Sequence, residues 1–230
     1  MIATLHFKKC FIFILLTIFL LGILSTIGQI AKYYFGHDYL FGFVPLFNLS
    51  SEKNIPTWFS SILLLSCAIL IVIITSQKIN NNDKYLFHWK LLGIVFLYLS
   101  IDESAAIHEK ISGILQNTLH LSGYLKFAWV IPALIIVIIL GIGYFKFFLS
   151  LPSRTRVTFT IAASLYIIGA LIFEFFEGQY VSIHGWDTFT YTIIWTVEEM
   201  LEMIGLTIFL YGLIKYYLIF NKKIEILIDL

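Results

Sequence analysis

The sequence predicts an all-α integral membrane protein: a bundle of about six transmembrane helices with both termini cytoplasmic, forming a single polytopic domain over residues 1–230. Three observations predict it. The chain is 60% hydrophobic, with a mean hydropathy of +0.92. Charged residues make up 13% of it, where soluble domains carry about 25%. The apolar residues fall into runs of about 20, the length at which a helix crosses a bilayer core. In such a core the backbone can satisfy its polar groups only internally, which selects helices for an apolar chain of this kind.

Each span has its own signal. The first, about 11–31, follows Lys8 and Lys9, and its apolar run exceeds a typical signal-peptide core, so it reads as a span. The second, about 56–76, opens on Pro56, a residue suited to a first helical turn. The third is about 89–111 and the fourth about 128–149, with Pro132 near its start. The fifth is about 157–178, after a basic turn with Arg154 and Arg156. The sixth, about 190–220, is long enough to tilt or to project into the cytoplasm. Most connections are short and polar. The exception, Lys32–Ile55, is rich in Tyr, Phe and Gly and reads as a segment at the interface or across the top of the bundle. Cys10 and Cys67 are too few and too apolar in setting for a disulfide framework or a cysteine metal site.

Orientation follows from the basic residues. With the N-terminus inside, eleven of the fifteen Lys and Arg residues fall in inner segments, among them Arg154, Arg156, Lys222 and Lys223. The positive-inside rule therefore puts both termini in the cytoplasm, as in a multi-pass protein of a bacterial inner membrane. The acids segregate the opposite way: eleven of fourteen lie in outer segments or outer halves of spans. Acids contribute little to topology, so their segregation has another cause.

Three acidic motifs converge at that outer level. The third span ends Asp102-Glu103-x4-His108-Glu109, the fifth ends Glu174-x2-Glu177, and the sixth carries Glu198-Glu199-x2-Glu202. In a continuous helix Asp102 and Glu109 share a face, as do Glu174 with Glu177 and Glu198 with Glu202. Ala106, Gly113, Ala170 and Gly205 continue those faces with small residues, which let helices approach closely in lipid. Carboxylates at membrane depth cost about 2.5–3.5 kcal/mol each on insertion scales. Like charges one turn apart cannot all stay ionised in a dry site, so protons, metal ions or water must compensate. Asp102, His108, Glu109, Glu174, Glu177, Glu198 and Glu202 are the candidate metal ligands. Such an oxygen-rich shell suits Fe, Mn, Mg or Ca better than a structural zinc. Glu103 and Glu199 lie about 100° round their helices from the main stripes and, with His184 and Trp195, are candidates for a supporting shell. Trp58, Trp89, Trp129 and Trp186 fall near span ends and read as an interfacial belt.

Familiar motifs do not account for this set. His108-Glu109 begins a zincin pattern, but Ser112 stands at the second histidine position. Ala105 stands where Asp102 would need the histidine of a di-iron bundle. The pattern Asp102-Glu103-x4-His108-Glu109 followed by Glu198-Glu199-x2-Glu202-x2-Gly205 resembles that of bacterial multi-pass membrane proteins of unassigned function. The resemblance covers the third to sixth spans. It implies a shared fold and a cluster that acts as a unit, and no particular activity.

The reading that follows is a metal-dependent membrane enzyme acting on a lipid or another membrane substrate. A proton- or cation-coupled transporter or channel, with an ion as substrate, and a non-catalytic membrane subunit or sensor are the alternatives. The expected partner is the bilayer, not nucleic acid.

Overall fold

The structure, a computed structural model, describes residues 2–220. Lys222, Lys223, Glu225 and Asp229, which entered the charge argument, lie outside the described residues. Nine α-helices account for most of the described chain, and no strand occurs among the described residues. Helix α1 (Ile2–Phe35) leads through a short α2 (Phe43–Phe47) to α3 (Ile55–Asn80), α4 (Leu86–Ala105) and α5 (Ile107–Leu119). Then come α6 (Val130–Ser150), α7 (Ser153–Ile167), a π-helical turn (Ile168–Phe173), α8 (Glu174–His184) and α9 (Phe189–Phe220).

Four stretches are long and apolar enough to cross a membrane: Lys8–Phe35, Ile55–Ile79, Val130–Ser150 and Ser153–His184. They coincide with the first, second, fourth and fifth expected spans. The third is not the continuous helix expected over 89–111. Ala106 adopts left-handed backbone angles (φ 54°, ψ 46°), and the axes of α4 and α5 differ by 74°. Taken as one broken span, the pair makes a fifth crossing. The expected common face of Asp102 and Glu109 is lost at this break.

Helix α9 is the hub, packing against α1, α3 and α7. Its Met203 and Leu213 are fully buried. The α7 contact is close because α9 offers glycines. A Cβ at Gly205 would stand 2.9 Å from the Ala162 carbonyl oxygen and from the Tyr166 nitrogen, and one at Gly212 would stand 2.9 Å from the Phe159 ring. From the other side α1 presents the helical stripe Ile18, Leu21, Ser25 and Gln29, all buried. Two apolar clusters result. One gathers Ile18, Leu21, Leu64, Met203 and Leu206. The other fills the opposite end of the bundle with Trp89, Phe147, Phe159, Leu213 and Tyr216.

The aromatic segment after α1 folds over the end of the bundle and is held by polar anchors. Gln29 donates from Nε2 to Asn48 Oδ1 (2.7 Å), and the Leu49 N–H donates to Ser25 Oγ (3.1 Å). Asn54 donates to the Asn48 and Ser51 carbonyls (2.6 and 2.7 Å), while its Oδ1 accepts the Thr57 N–H and so caps α3. Glu52 is thereby fixed at the mouth of the bundle. Nearby, Lys32 and Tyr33 both donate to Asp187 Oδ1 at 2.8 Å, tying α1 to the turn before α9. Those donors hold the Asp187 carboxyl below the usual carboxylate range.

Helix α6 is the exception to this packing. Its buried residues are Val130 and Phe147, near its two ends. Between them Leu134, Ile135, Ile138, Ile139 and Ile142 face outward. The helix is buried only near its two ends, and a chamber lies along its N-terminal half.

Candidate functional site

A cavity of about 350 Å³ lies between α4, α6, the π-turn and α9. One part of its wall is apolar, from Val95, Leu99, Ile136, Val137 and Leu140. The other part is acidic: Glu52, Asp102, Glu103, Glu174, Glu198, Glu199 and Glu202, with His108 and no Lys or Arg among the lining residues. Tyr98, Ile111 and Ile136 line it while remaining 48%, 37% and 55% exposed, so the chamber opens at the side of the bundle. Its size and mixed lining are those of a small-molecule site.

The helix break builds the first part of the site. At Ala106 the chain turns out of α4, and the N–H groups of the new first turn of α5 need acceptors. Asp102 supplies one: its Oδ1 accepts the His108 N–H at 2.8 Å. Its other oxygen, Oδ2, meets His108 Nδ1 at 3.0 Å. A carboxylate only accepts, so this contact places a proton on Nδ1 and leaves Nε2 as the reactive nitrogen. Nε2 faces Glu52 Oε1 at 3.6 Å. Burial, and then the nearby Glu109 carboxylate, push the Glu52 carboxyl up to about 7. The six-residue spacing of Asp102 and His108 thus has a physical cause that an unbroken helix would not reveal.

The second part hangs on the π-turn. A Cβ at Gly169 would stand 2.8 Å from Glu202 Cγ and 3.0 Å from the Glu198 carbonyl oxygen, so this turn rests directly on the acidic stretch of α9. A π-turn inserted in an α-helix is a frequent mark of a functional site. Beyond it Glu174 reaches the chamber, where Trp129 donates from Nε1 to Glu174 Oε1 at 2.9 Å. The Trp129 ring also packs 5.0 Å from that of His108. Trp129 is placed by Gly178, which accommodates the 123–126 turn at backbone contact distance and lets the Gly123 N–H donate to Ser182 Oγ (2.9 Å).

The deepest part belongs to α9. Tyr166 lies beside Glu202, Trp195 beside Glu199 and Ser60 beside Glu103, each offering a neutral donor group to a carboxyl. The carboxyls of Glu177 and Glu198 lie side by side. Several buried oxygens have no partner: Glu52 Oε2, Glu174 Oε2, Glu177 Oε1, Glu198 Oε2 and the Tyr191 hydroxyl. Such orphans are costly and mark places where something else belongs.

Of the candidate ligands, Asp102, His108, Glu174, Glu198 and Glu202 line the chamber. Glu177 is buried just behind it, against Glu198. Glu109 is exposed on α5 and does not line it. Glu103 and Glu199, expected off the main stripes, line it as directly as their neighbours. Trp195 lines it too, whereas His184 is exposed and stacks on Tyr180, 4.4 Å between ring centroids. Among the described residues no three His, Cys, Asp or Glu side chains are grouped to hold a metal ion. Glu52, Tyr166 and Tyr191 are not among the candidates the sequence singles out, and Trp129, expected in the interfacial belt, belongs to the site instead. Tyr191 was accessible, because with Trp195 and Glu198 it forms an i, i+4, i+7 stripe on α9. Glu52 was not, because only the folding of the aromatic segment brings it to His108.

Fold and site together define a helical protein compatible with membrane insertion and built around a laterally open acidic chamber. The chain belongs to the family described as Domain of unknown function (DUF8692), whose model matches residues 10–215. No curated protein and no solved structure matches it.

Proposed function

We propose that this protein is a six-span enzyme of a bacterial inner membrane, with both termini cytoplasmic, that performs acid–base chemistry on a lipid or lipid-like substrate in this chamber. In this reading α9 is the sixth span, its acids tolerated because they face the cavity rather than lipid. The observation that carries the proposal is the Asp102–His108 pair at the wall of a cavity that is apolar on one side and open at the side of the bundle. An imidazole oriented through Nδ1 by a carboxylate, with Nε2 turned toward the cavity, is an arrangement suited to general acid–base work. Asp102 orients the ring, Trp129 packs on it, and Glu52 closes the mouth.

The test is lipid turnover. The purified protein, reconstituted with bacterial lipid extract, should change the amount of at least one lipid species by mass spectrometry. His108→Gln should slow that change by about 10²–10⁴-fold, the usual worth of a general acid–base residue, with thermal unfolding unaltered. Asp102→Asn should give a smaller loss. An unchanged lipid profile in all preparations would sink the proposal.

A second reading, a bound divalent cation of the Fe, Mn, Mg or Ca type, is favoured by the free oxygens of Glu174, Glu177 and Glu198. Binding would draw these carboxyls together by a change of rotamer. Elemental analysis should then find about one metal per chain, lost in Glu174→Gln and Glu198→Gln. Metal-free protein after attempted reloading would remove this reading and leave the acid–base proposal standing.

A further inference from the structure

The acidic chamber holds more hydrogen-bond acceptors than its own side chains satisfy. Seven carboxyl side chains line it, and neither Lys nor Arg does. The donors that reach those carboxyls are the neutral groups of Ser60, Trp129, Tyr166 and Trp195, together with His108. The carboxyls also line an extended wall rather than converging on a point, since no three are grouped to hold a metal ion among the described residues. Two further groups wait for a partner. Glu198 Oε2, on a residue 5% exposed, faces the chamber unpartnered. The hydroxyl of Tyr191, 3% exposed, is likewise unpartnered within the electrostatic reach of Glu174, Glu177 and Glu198. Opposite this wall lies hydrocarbon surface from α4 and α6, continuous with the outward-exposed Ile136 and Tyr98.

We infer that the chamber takes an amphiphile with a cationic, amine-bearing head group, its head among Glu198, Glu199 and Glu202 and its chain between α4 and α6. This rests on the reading of the cavity as the substrate site and names the substrate class. An ammonium group donates up to three hydrogen bonds and suits a spread of acceptors better than a single convergent point. Charge-assisted bonds of that kind are about twice as strong as neutral ones. Trp129, Tyr166 and Trp195 add aromatic faces that attract cations. The hydrocarbon chain enters through the lateral opening without leaving the bilayer.

The experiment is photolabelling of the full-length protein in maltoside micelles. Three probes share a C12 chain bearing a diazirine and differ in ending in a primary amine, an alcohol or a carboxylic acid. The amine should label residues 95–99 and 136–140 saturably, at concentrations about tenfold lower than the alcohol or the acid. Glu199→Gln combined with Glu202→Gln should abolish that preference. Ala170→Phe, which fills the chamber from the π-turn, should abolish labelling by all three probes and covers the case in which the double variant does not fold. Equal labelling by the three head groups, or labelling confined to other segments, would overturn the inference. So would protection of the protein by Mn²⁺ with no amine labelling, which would favour the divalent-cation reading. Amine labelling without lipid turnover would keep the ligand class and remove the enzyme. Turnover of a neutral or anionic lipid without amine labelling would do the reverse.

Discussion

At the scale of single residues, the site depends on what each carboxyl touches. Asp102 caps α5 and orients His108 with the same side chain, so its replacement disturbs both a backbone N–H and the imidazole. Glu52 carries a pH dependence that can be signed. Its carboxyl is raised from 4.5 to about 7 in the fold, chiefly by burial. The folded state therefore holds a proton that the unfolded state has released. The stabilisation is fully present below about 4.5, is lost as pH rises, and is gone above about 7. Thermal unfolding in detergent should shift to lower temperature between pH 5 and pH 8, and Glu52→Gln should show a smaller shift. Equal shifts in the two proteins would mean that Glu52 is not the titrating group. How much of this was readable beforehand differs by residue. His108 and Glu202 were visible as unusual residues in apolar runs. The partnership of His108 with Glu52 was not, because 56 positions separate them and only the anchors at Asn48 and Asn54 bring Glu52 over the bundle.

At the scale of elements, two departures from regular helix decide the geometry. The left-handed Ala106 breaks the third span, and the π-turn at Ile168–Phe173 resets the face of the helix that begins with Glu174 and Glu177. Both fall beside the chamber. Neither is announced by proline, and Ala106 looks like an ordinary helix former, so a 3.6-residue period extended across it mis-assigns Glu109 to the site. Close packing of α7 on α9 is the other requirement. Gly205→Leu places a side chain where the Ala162 carbonyl oxygen and the Tyr166 nitrogen lie at 2.9 Å from a mere Cβ. It should cost at least about 1–3 kcal/mol, the usual range for overpacking, and displace Tyr166 from Glu202. Gly141→Ala on α6, where nothing lies within 4 Å of the added carbon, should be neutral or stabilising by up to about 1 kcal/mol through helix propensity. Thermal unfolding of the two variants side by side checks both, and similar destabilisation by each would show that α6 is packed more tightly than the structure has it.

At the scale of the whole molecule, the arrangement is a packed bundle at one end and a chamber at the other. Trp89, Phe147 and Tyr216 close the first end, while the sparsely packed α6 borders the chamber at the second. The proposed orientation makes a direct prediction. A cysteine at Lys53 should react with an impermeant maleimide from outside intact cells, and one at Lys84 should react only after the membrane is opened, in a background lacking Cys10 and Cys67. The reverse pattern would overturn the orientation and move the chamber to the cytoplasmic side.

The helical class and the inventory of unusual residues are legible in the amino-acid order alone. Apolar runs of bilayer length specify helices because lipid leaves the backbone no other partner, and four of the expected spans recur as long apolar helices. The same sequence singled out the acids, because a carboxylate in an apolar run is costly enough to be informative on its own. Which of them meet depends on the packing of the folded chain. Helical periodicity is a local rule, and it fails at Ala106 and at the π-turn, where the backbone leaves the α-helix. Contacts such as His108 with Glu52, or Trp129 with Glu174, depend on how distant segments pack, which no local period encodes.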